Sequence, residues 1–174
     1  GGSVLNGGLT VFSAGNNNNS LNWYPACYSG AFSVTATNNQ DIKAYYANYA
    51  SWIDISAPGG ETDIISAKGI RSTITNNSYD YYQGTSQAAP HVSGAAALVV
   101  SFTARYGSVI SNQVLANVLR NSADNHYGTN PNYTGQLGSG RLNAYSALLQ
   151  VTNYIDDITN PQSFTATSVS TSQI

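Results

Sequence analysis

From residue 84 to residue 98 the chain reads Gly-Thr-Ser-Gln-Ala-Ala-Pro-His-Val-Ser-Gly-Ala-Ala-Ala-Leu. A glycine-led turn runs straight into small and apolar residues, the composition of a helix packed closely by its neighbours. Pro90 has no N–H to give and is tolerated best in the first turn, so it sets the helix start near Ser86. A side chain at that point faces unpaired backbone N–H groups and the positive end of the helix dipole. A serine hydroxyl that is to act as a nucleophile and leave an oxyanion behind needs such surroundings.

Short strands precede this helix. Residues 9–14 read as a buried strand, followed by Gly15 and the polar run Asn16 to Asn19. Further strands are predicted over 31–36, 51–56, 63–67, 70–75 and 79–83, with Pro58-Gly59-Gly60 as a stop. The long helix covers about 86–104 and should be buried on most faces. Ser111 is placed to cap a second helix ending near Asn121, whose apolar face carries Val114, Leu115, Val118 and Leu119. Asn143 is placed to cap a third, running to Leu149. Strands interleaved with buried helices indicate an α/β layer architecture. The domain is expected over 1–150. Residues 151–174 then form either a flexible linker or the first strand of an appended β-sandwich, after the breaker Asn160-Pro161.

Composition narrows the partners. The 174 residues suffice for one domain with a sizeable core. Charged residues make up only 8% and the formal net charge is −2, which argues against a nucleic-acid partner. No run of about 18 apolar residues is present, so no membrane-spanning helix is expected. The single cysteine, Cys27, has no internal partner and reads as a packing residue.

The run around Ser86 closely resembles the nucleophile segment of subtilisin-like serine proteases (subtilases). That resemblance implies a three-layer α/β fold with a mainly parallel sheet, of which this chain would be the C-terminal half. It also implies an oxyanion-hole asparagine in a strand-end Ala-Gly-Asn motif, which Ala14-Gly15-Asn16 matches. By residue type alone Asn16 reads as a turn former in an Asn-rich loop, and the Ser86 segment together with the order along the chain favours the oxyanion role. Gly15 and Trp23 fall where relatives build the substrate-binding wall, and a buried core position is the other reading of Trp23. Ile53-Asp54-Ile55-Ser56-Ala57-Pro58-Gly59 resembles a subtilase segment whose aspartate lies near a weak cation site. The carbonyls sharing that site would be those of Ala26, Tyr28 and Ala31, an oxygen set suited to Ca²⁺ or Na⁺. No cofactor is required by the implied chemistry. Residues 161–174 resemble the opening of a fibronectin type III module.

The serine needs a base, and the base an orienting acid. Of the two histidines, His91 follows Ser86 by five residues, which on a helix is about 140° around the axis and about 7.5 Å along it. It faces away and reads as a hydrogen-bonded helix residue. His126, in Asp124-Asn125-His126-Tyr127-Gly128, reads as a solvated loop histidine. In subtilases the triad Asp and His precede the oxyanion asparagine, so both are expected upstream of this chain.

The expected function is therefore a secreted or cell-surface serine endopeptidase acting on polypeptides, with this part alone inactive. It should associate with the missing N-terminal half of the catalytic domain or with itself, since a half-sheet leaves strand edges open. The alternative is an inactive subtilase-like binding or scaffolding module. An esterase is disfavoured because Ala88 breaks the Gly-x-Ser-x-Gly elbow. A β-rich adhesion module has no place for the small-residue helix. Gln87 stands where methionine is common in relatives and carries no oxidisable thioether. The full-length protein should withstand peroxide better than its Gln87→Met variant. Time courses of inactivation in peroxide check this, and equal rates would refute it.

Overall fold

The computed structural model describes residues 5–63 and 65–159. Strand β1 (Leu5–Asn6) opens the chain, followed by β2 (Val11–Ser13), β3 (Phe32–Thr37) and β4 (Ile55–Pro58). The last three form a parallel sheet in sequential order, with Val11 opposite Phe32 and Val34 opposite Ile55. Next come an antiparallel hairpin of β5 (Ile70–Ile74) and β6 (Ser78–Tyr82), and helix α1 (Thr85–Arg105). Strand β7 (Ile110–Ser111) pairs in parallel with β1 and leads into α2 (Asn112–Asn121); α3 (Ala144–Thr159) closes the described chain. The architecture is α/β.

The central strand β3 shows why the layers form. Its residues alternate between Phe32, Val34 and Ala36 on one face and Ser33, Thr35 and Thr37 on the other, and all six are buried. The apolar set joins Ile55 and Ala57 of β4 against Ala88, Val92, Ala95 and Val99 of α1, with Ala147 and Val151 of α3 behind. At about 25 cal/mol per Å² of apolar surface removed from water, this face is the main stabilising layer. Two of these hydroxyls instead bond the irregular 48–54 segment: Ser33 Oγ donates to Trp52 O (2.7 Å) and Thr35 Oγ1 to Asn48 O (2.5 Å). Hydroxyls on one side of a strand thus let a loop, rather than a helix, cover it.

Both predicted caps form. Ser111 Oγ accepts from Val114 N and Asn143 Oδ1 from Ser146 N. Cys27 is half-buried, with no disulfide. Several expectations need correcting. Helix α3 runs to Thr159, ten residues beyond the expected end at Leu149, because Val151 and Ile155 continue its buried stripe. The expected third strand shifts to 55–58, since a turn holds Ile53 N on Ala50 O. The strand expected over 63–67 is replaced by a single 3-10 turn at Ser66–Lys68. Pro90 is the sixth residue of α1, not in its first turn, so it offers no N–H to the Ser86 carbonyl. One side of α1 is exposed among the described residues, Leu98 by 48%. The fibronectin-like stretch, 161–174, lies outside the described residues.

His126 is the clearest departure: it is buried, 5% exposed, rather than solvated. Its loop is folded inward by Asn130, whose amide donates to the carbonyls of Asp41 and His126. Nearby, Arg141 bridges Asp41 (3.1 Å) and Asp124. Burial lowers the His126 pKa, Asp41 opposes the shift and Arg141 adds to it. A histidine held neutral in the fold contributes stability above its unfolded pKa of about 6.5, and loses it as pH falls through the folded value. His126→Phe should therefore flatten the acid-side loss of stability, read as the urea midpoint between pH 7.5 and pH 5. An unchanged slope would show that His126 titrates as in the unfolded chain.

Candidate active site

Ser86 is exposed at the start of α1, next to the buried pair Gly84 and Thr85. Four backbone N–H groups open any helix without an intrahelical partner. Here Gln87 N and Ala88 N bond back to Gly84 O (3.0 and 3.2 Å), and Thr85 N donates to Asn16 Oδ1 (2.9 Å). Ser86 N–H is left without a partner among the described residues. It lies at the positive end of the helix.

Asn16 reaches this point from the loop after β2. Thr85 Oγ1 also donates to Asn16 Oδ1 (2.8 Å) while accepting from Gly15 N (3.1 Å). Because a backbone N–H can only donate, Thr85 fixes which end of the amide faces it. The Asn16 Nδ2 group is thereby turned away from Thr85 and kept free. A methyl group built on Gly84 would lie 3.3 Å from Asn16 Nδ2 and 3.6 Å from Ser86 N. Two donors thus flank one small space, kept open because residue 84 is glycine at φ +147°. The same methyl would lie 2.7 Å from Gln87 Oε1, so the Gln87 amide borders this space too.

The loop is braced by side chains that sequence reasoning passes over. Asn48, fully buried, accepts from Asn17 N (2.9 Å) and Asn19 N (3.3 Å) and donates to Ala14 O (2.9 Å). Its backbone N donates to Gly15 O (3.0 Å). Gly15 adopts φ +98°, and a side chain there would strike Asn48 Nδ2 at 2.5 Å. Tyr46 accepts from Gly84 N (2.8 Å) and donates to Gly60 O (2.8 Å), and burial pushes its phenol pKa up. An asparagine inside a Tyr-rich segment carries no motif; only the approach of two distant loops reveals its role.

Trp23 is not a core residue. It is 36% exposed, donates Nε1 to Asn19 Oδ1 (3.0 Å), and its ring lies beside Gly15. It therefore stands at the edge of the Asn16 loop, as a wall would. A shallow cleft of about 360 Å³ joins Ser86, Gln87, Pro90 and His91 to Ile70 and Arg71 of the hairpin. His91 Nδ1 is engaged with Gln87 O (2.8 Å), the hydrogen-bonded helix role expected of it. Neither histidine bonds Ser86.

The cation site is not supported. Asp54 Oδ1 accepts from Arg120 Nε (2.9 Å) and Nη2 (2.6 Å), while Oδ2 accepts from Ser33 N (2.6 Å) and Ser33 Oγ (2.9 Å). Both carboxylate oxygens are thus engaged, and the guanidinium on Oδ1 would repel a second cation beside it. Of the carbonyls expected to join it, that of Tyr28 accepts from Ala31 N (2.9 Å), and Ala26 and Ala31 belong to the same loop. The described residues contain no cluster of three or more His, Cys, Asp or Glu side chains able to hold a metal. Arg120 lies 66 residues from Asp54, which is why local sequence could not show the pairing.

Comparison with known proteins shows the family. The model of the subtilase family matches residues 2–140. A thermophilic serine proteinase of Bacillus sp. strain AK1 is 37% identical over 82% of this chain and 31% of its own length. Thermitase of Thermoactinomyces vulgaris is 36% identical over 82% of this chain and 44% of its own. Among solved structures, a protease of Pseudoalteromonas arctica PAMC 21717 superposes with a TM-score of 0.73 at 31% identity, covering 82% of this chain and 42% of that one. The chain thus spans between about a third and a half of the length of these relatives. No described helix is long and apolar enough to cross a membrane.

Asn48→Ala would strip partners from Ala14 O, Asn17 N and Asn19 N together. A loss of about 2–4 kcal/mol is expected in chemical denaturation of the full-length protein. A change within about 0.5 kcal/mol would mean that the loop holds itself.

Proposed function

This chain belongs to the subtilase family, and from that premise we propose that the protein carrying it is a subtilisin-type serine endopeptidase with Ser86 as nucleophile. The observation that carries the reading is a pair of donor nitrogens, Asn16 Nδ2 and Ser86 N, 3.3 and 3.6 Å from one point beside Gly84. Ser86 Oγ attacks the peptide carbonyl. The resulting oxyanion accepts from both donors, and the helix dipole favours its charge. A base outside these residues takes the Ser86 hydroxyl proton and passes it to the leaving amine, so that collapse expels the amine and leaves an acyl group on Ser86, which water then releases. Acyl transfer of this kind calls for no cofactor.

The base and its orienting acid come from protein outside these residues. His91 is turned onto Gln87 O and His126 is buried in another loop, so neither serves. A companion surface fits this division. Strand β2 is one of the two outer strands of the described sheet, and beside it Leu9, Val11, Ala97 and Val100 line an apolar hollow of about 220 Å³. The remainder of the catalytic domain covers that surface, and a second copy of this chain takes its place when that half is missing. Gly15 and Trp23 shape the wall beside the scissile bond. A secreted or cell-surface setting fits a surface whose polarity comes from amides and hydroxyls more than from charge.

Labelling with a fluorophosphonate probe, followed by peptide mapping, tests the reading. Ser86 should be modified in the full-length protein and not in this segment alone. A folded, mature full-length protein that stays unmodified would favour the inactive binding or scaffolding module. In an active protein, Asn16→Ala should lower kcat with little change in KM. The expected scale, about 10²–10³ in kcat, is that of the corresponding change in subtilisin itself. Unaltered kcat would remove Asn16 from the oxyanion hole.

A further inference from the structure

A buried ammonium group sits three residues before Tyr46 and five before Asn48, and nothing in the proposed chemistry uses it. Lys43 is 5% exposed, and no carboxylate pairs with it directly. Its three donors are instead spent on neutral oxygens: Asn18 Oδ1, Ala44 O and Ala47 O, each at 2.9 Å. The rings of Tyr49 and Tyr133 stand 5.2 and 5.1 Å away, within cation–π range. Burial brings its pKa down to about 8, with the Glu61 carboxylate opposing, so the group is charged at neutral pH.

Burying a charge among neutral partners is costly, and an apolar side chain would fill the same space at less cost. The ammonium does what no apolar group can. Ala44 and Ala47 bracket Tyr46, which holds Gly84, and Ala47 adjoins Asn48, which holds Asn17 and Asn19. By grasping Asn18 as well, Lys43 ties the side-chain layer of the loop to the same segment. Asn18 adopts φ +49°, a left-handed conformation that asparagine takes up more readily than other non-glycine residues, and it is held there from two sides. Its backbone N is already fixed on Tyr46 O (2.8 Å), and Lys43 fixes the side chain. Without the ammonium, only the backbone bond to Tyr46 O of these two contacts remains.

We propose that Lys43 is a positioning residue, an internal cation that holds the Asn16–Asn19 loop in the shape that aims Asn16 Nδ2 at the oxyanion. The catalytic part of this proposal rests on the reading of Ser86 and Asn16 given above; the structural part does not.

The test uses the full-length protein and Lys43→Met, which keeps the aliphatic stem and removes the ammonium. Assayed well below the unfolding temperature of every variant, kcat should fall about tenfold or more, with KM within about twofold. In an Asn16→Ala background the same change should cost less than about twofold, because the group that Lys43 positions is already gone. Equal losses in the two backgrounds would make Lys43 a general structural residue and overturn the proposal, as would an unchanged kcat. The NMR signal of the Asn16 side-chain amide gives a reading independent of turnover. It should shift or broaden in Lys43→Met, and an unmoved signal in a folded variant would overturn the proposal. Should the unaltered protein prove inactive, the protease reading falls and this signal alone decides whether Lys43 places Asn16. If Lys43→Met does not fold, Asn18→Ala removes the same contact from the loop side and takes its place in both measurements.

Discussion

The carboxamide of Asn16 has a donor end and an acceptor end, and Thr85 holds the acceptor end with two hydrogen bonds. Everything at the site follows from that asymmetry. One bond uses the backbone N–H of the first residue of α1, a group that would otherwise be an orphan at the helix start. The same contact therefore caps the helix, joins segments 69 residues apart and leaves Nδ2 free beside Ser86 N. It works only because neither neighbour carries a side chain in the way. Gly84 keeps the space between the donors open, and Gly15 lets the loop pass against Asn48.

Behind this contact lies a layer of buried polar groups, which is how a chain with few charges builds a rigid loop. Asn48 and Lys43 bond the loop through their side chains and Tyr46 through its backbone carbonyl, and each is at least nine-tenths buried. Buried polar groups are costly when unpaired and specific when fully paired. Here the pairing is close to complete, so the loop has one arrangement in place of several of similar energy. The hydroxyl face of β3 continues the same device below the loop, fastening the 48–54 segment to the sheet.

Sequence discloses what is local. The helix start at Ser86 and the strand end before Asn16 are legible because a turn, a serine and a helix of small residues follow one another without interruption, and because a strand ends in Ala14-Gly15-Asn16. The caps at Ser111 and Asn143 are legible for the same reason. Where sequence misleads, the partner lies outside the local pattern. Asp54 resembles a cation ligand, yet Arg120 occupies it from 66 residues away. His126 reads as a solvated loop residue, but Asn130 folds its loop inward beside Asp41. Helix α3 reads as finished at Leu149, and the stripe through Val151 and Ile155 carries it on to Thr159. Thr85 and Asn48 have no sequence signature at all, since their roles exist only where two loops meet.

The most direct measurement is a crystal structure of the full-length protein with a peptide boronate bound to Ser86. The account predicts one boronate oxygen at about 2.7–3.1 Å from both Asn16 Nδ2 and Ser86 N, with Asn16 Oδ1 still on Thr85. A boronate whose oxygens all lie beyond hydrogen-bond reach of Asn16, or an Asn16 amide turned so that Nδ2 faces Thr85, would contradict it.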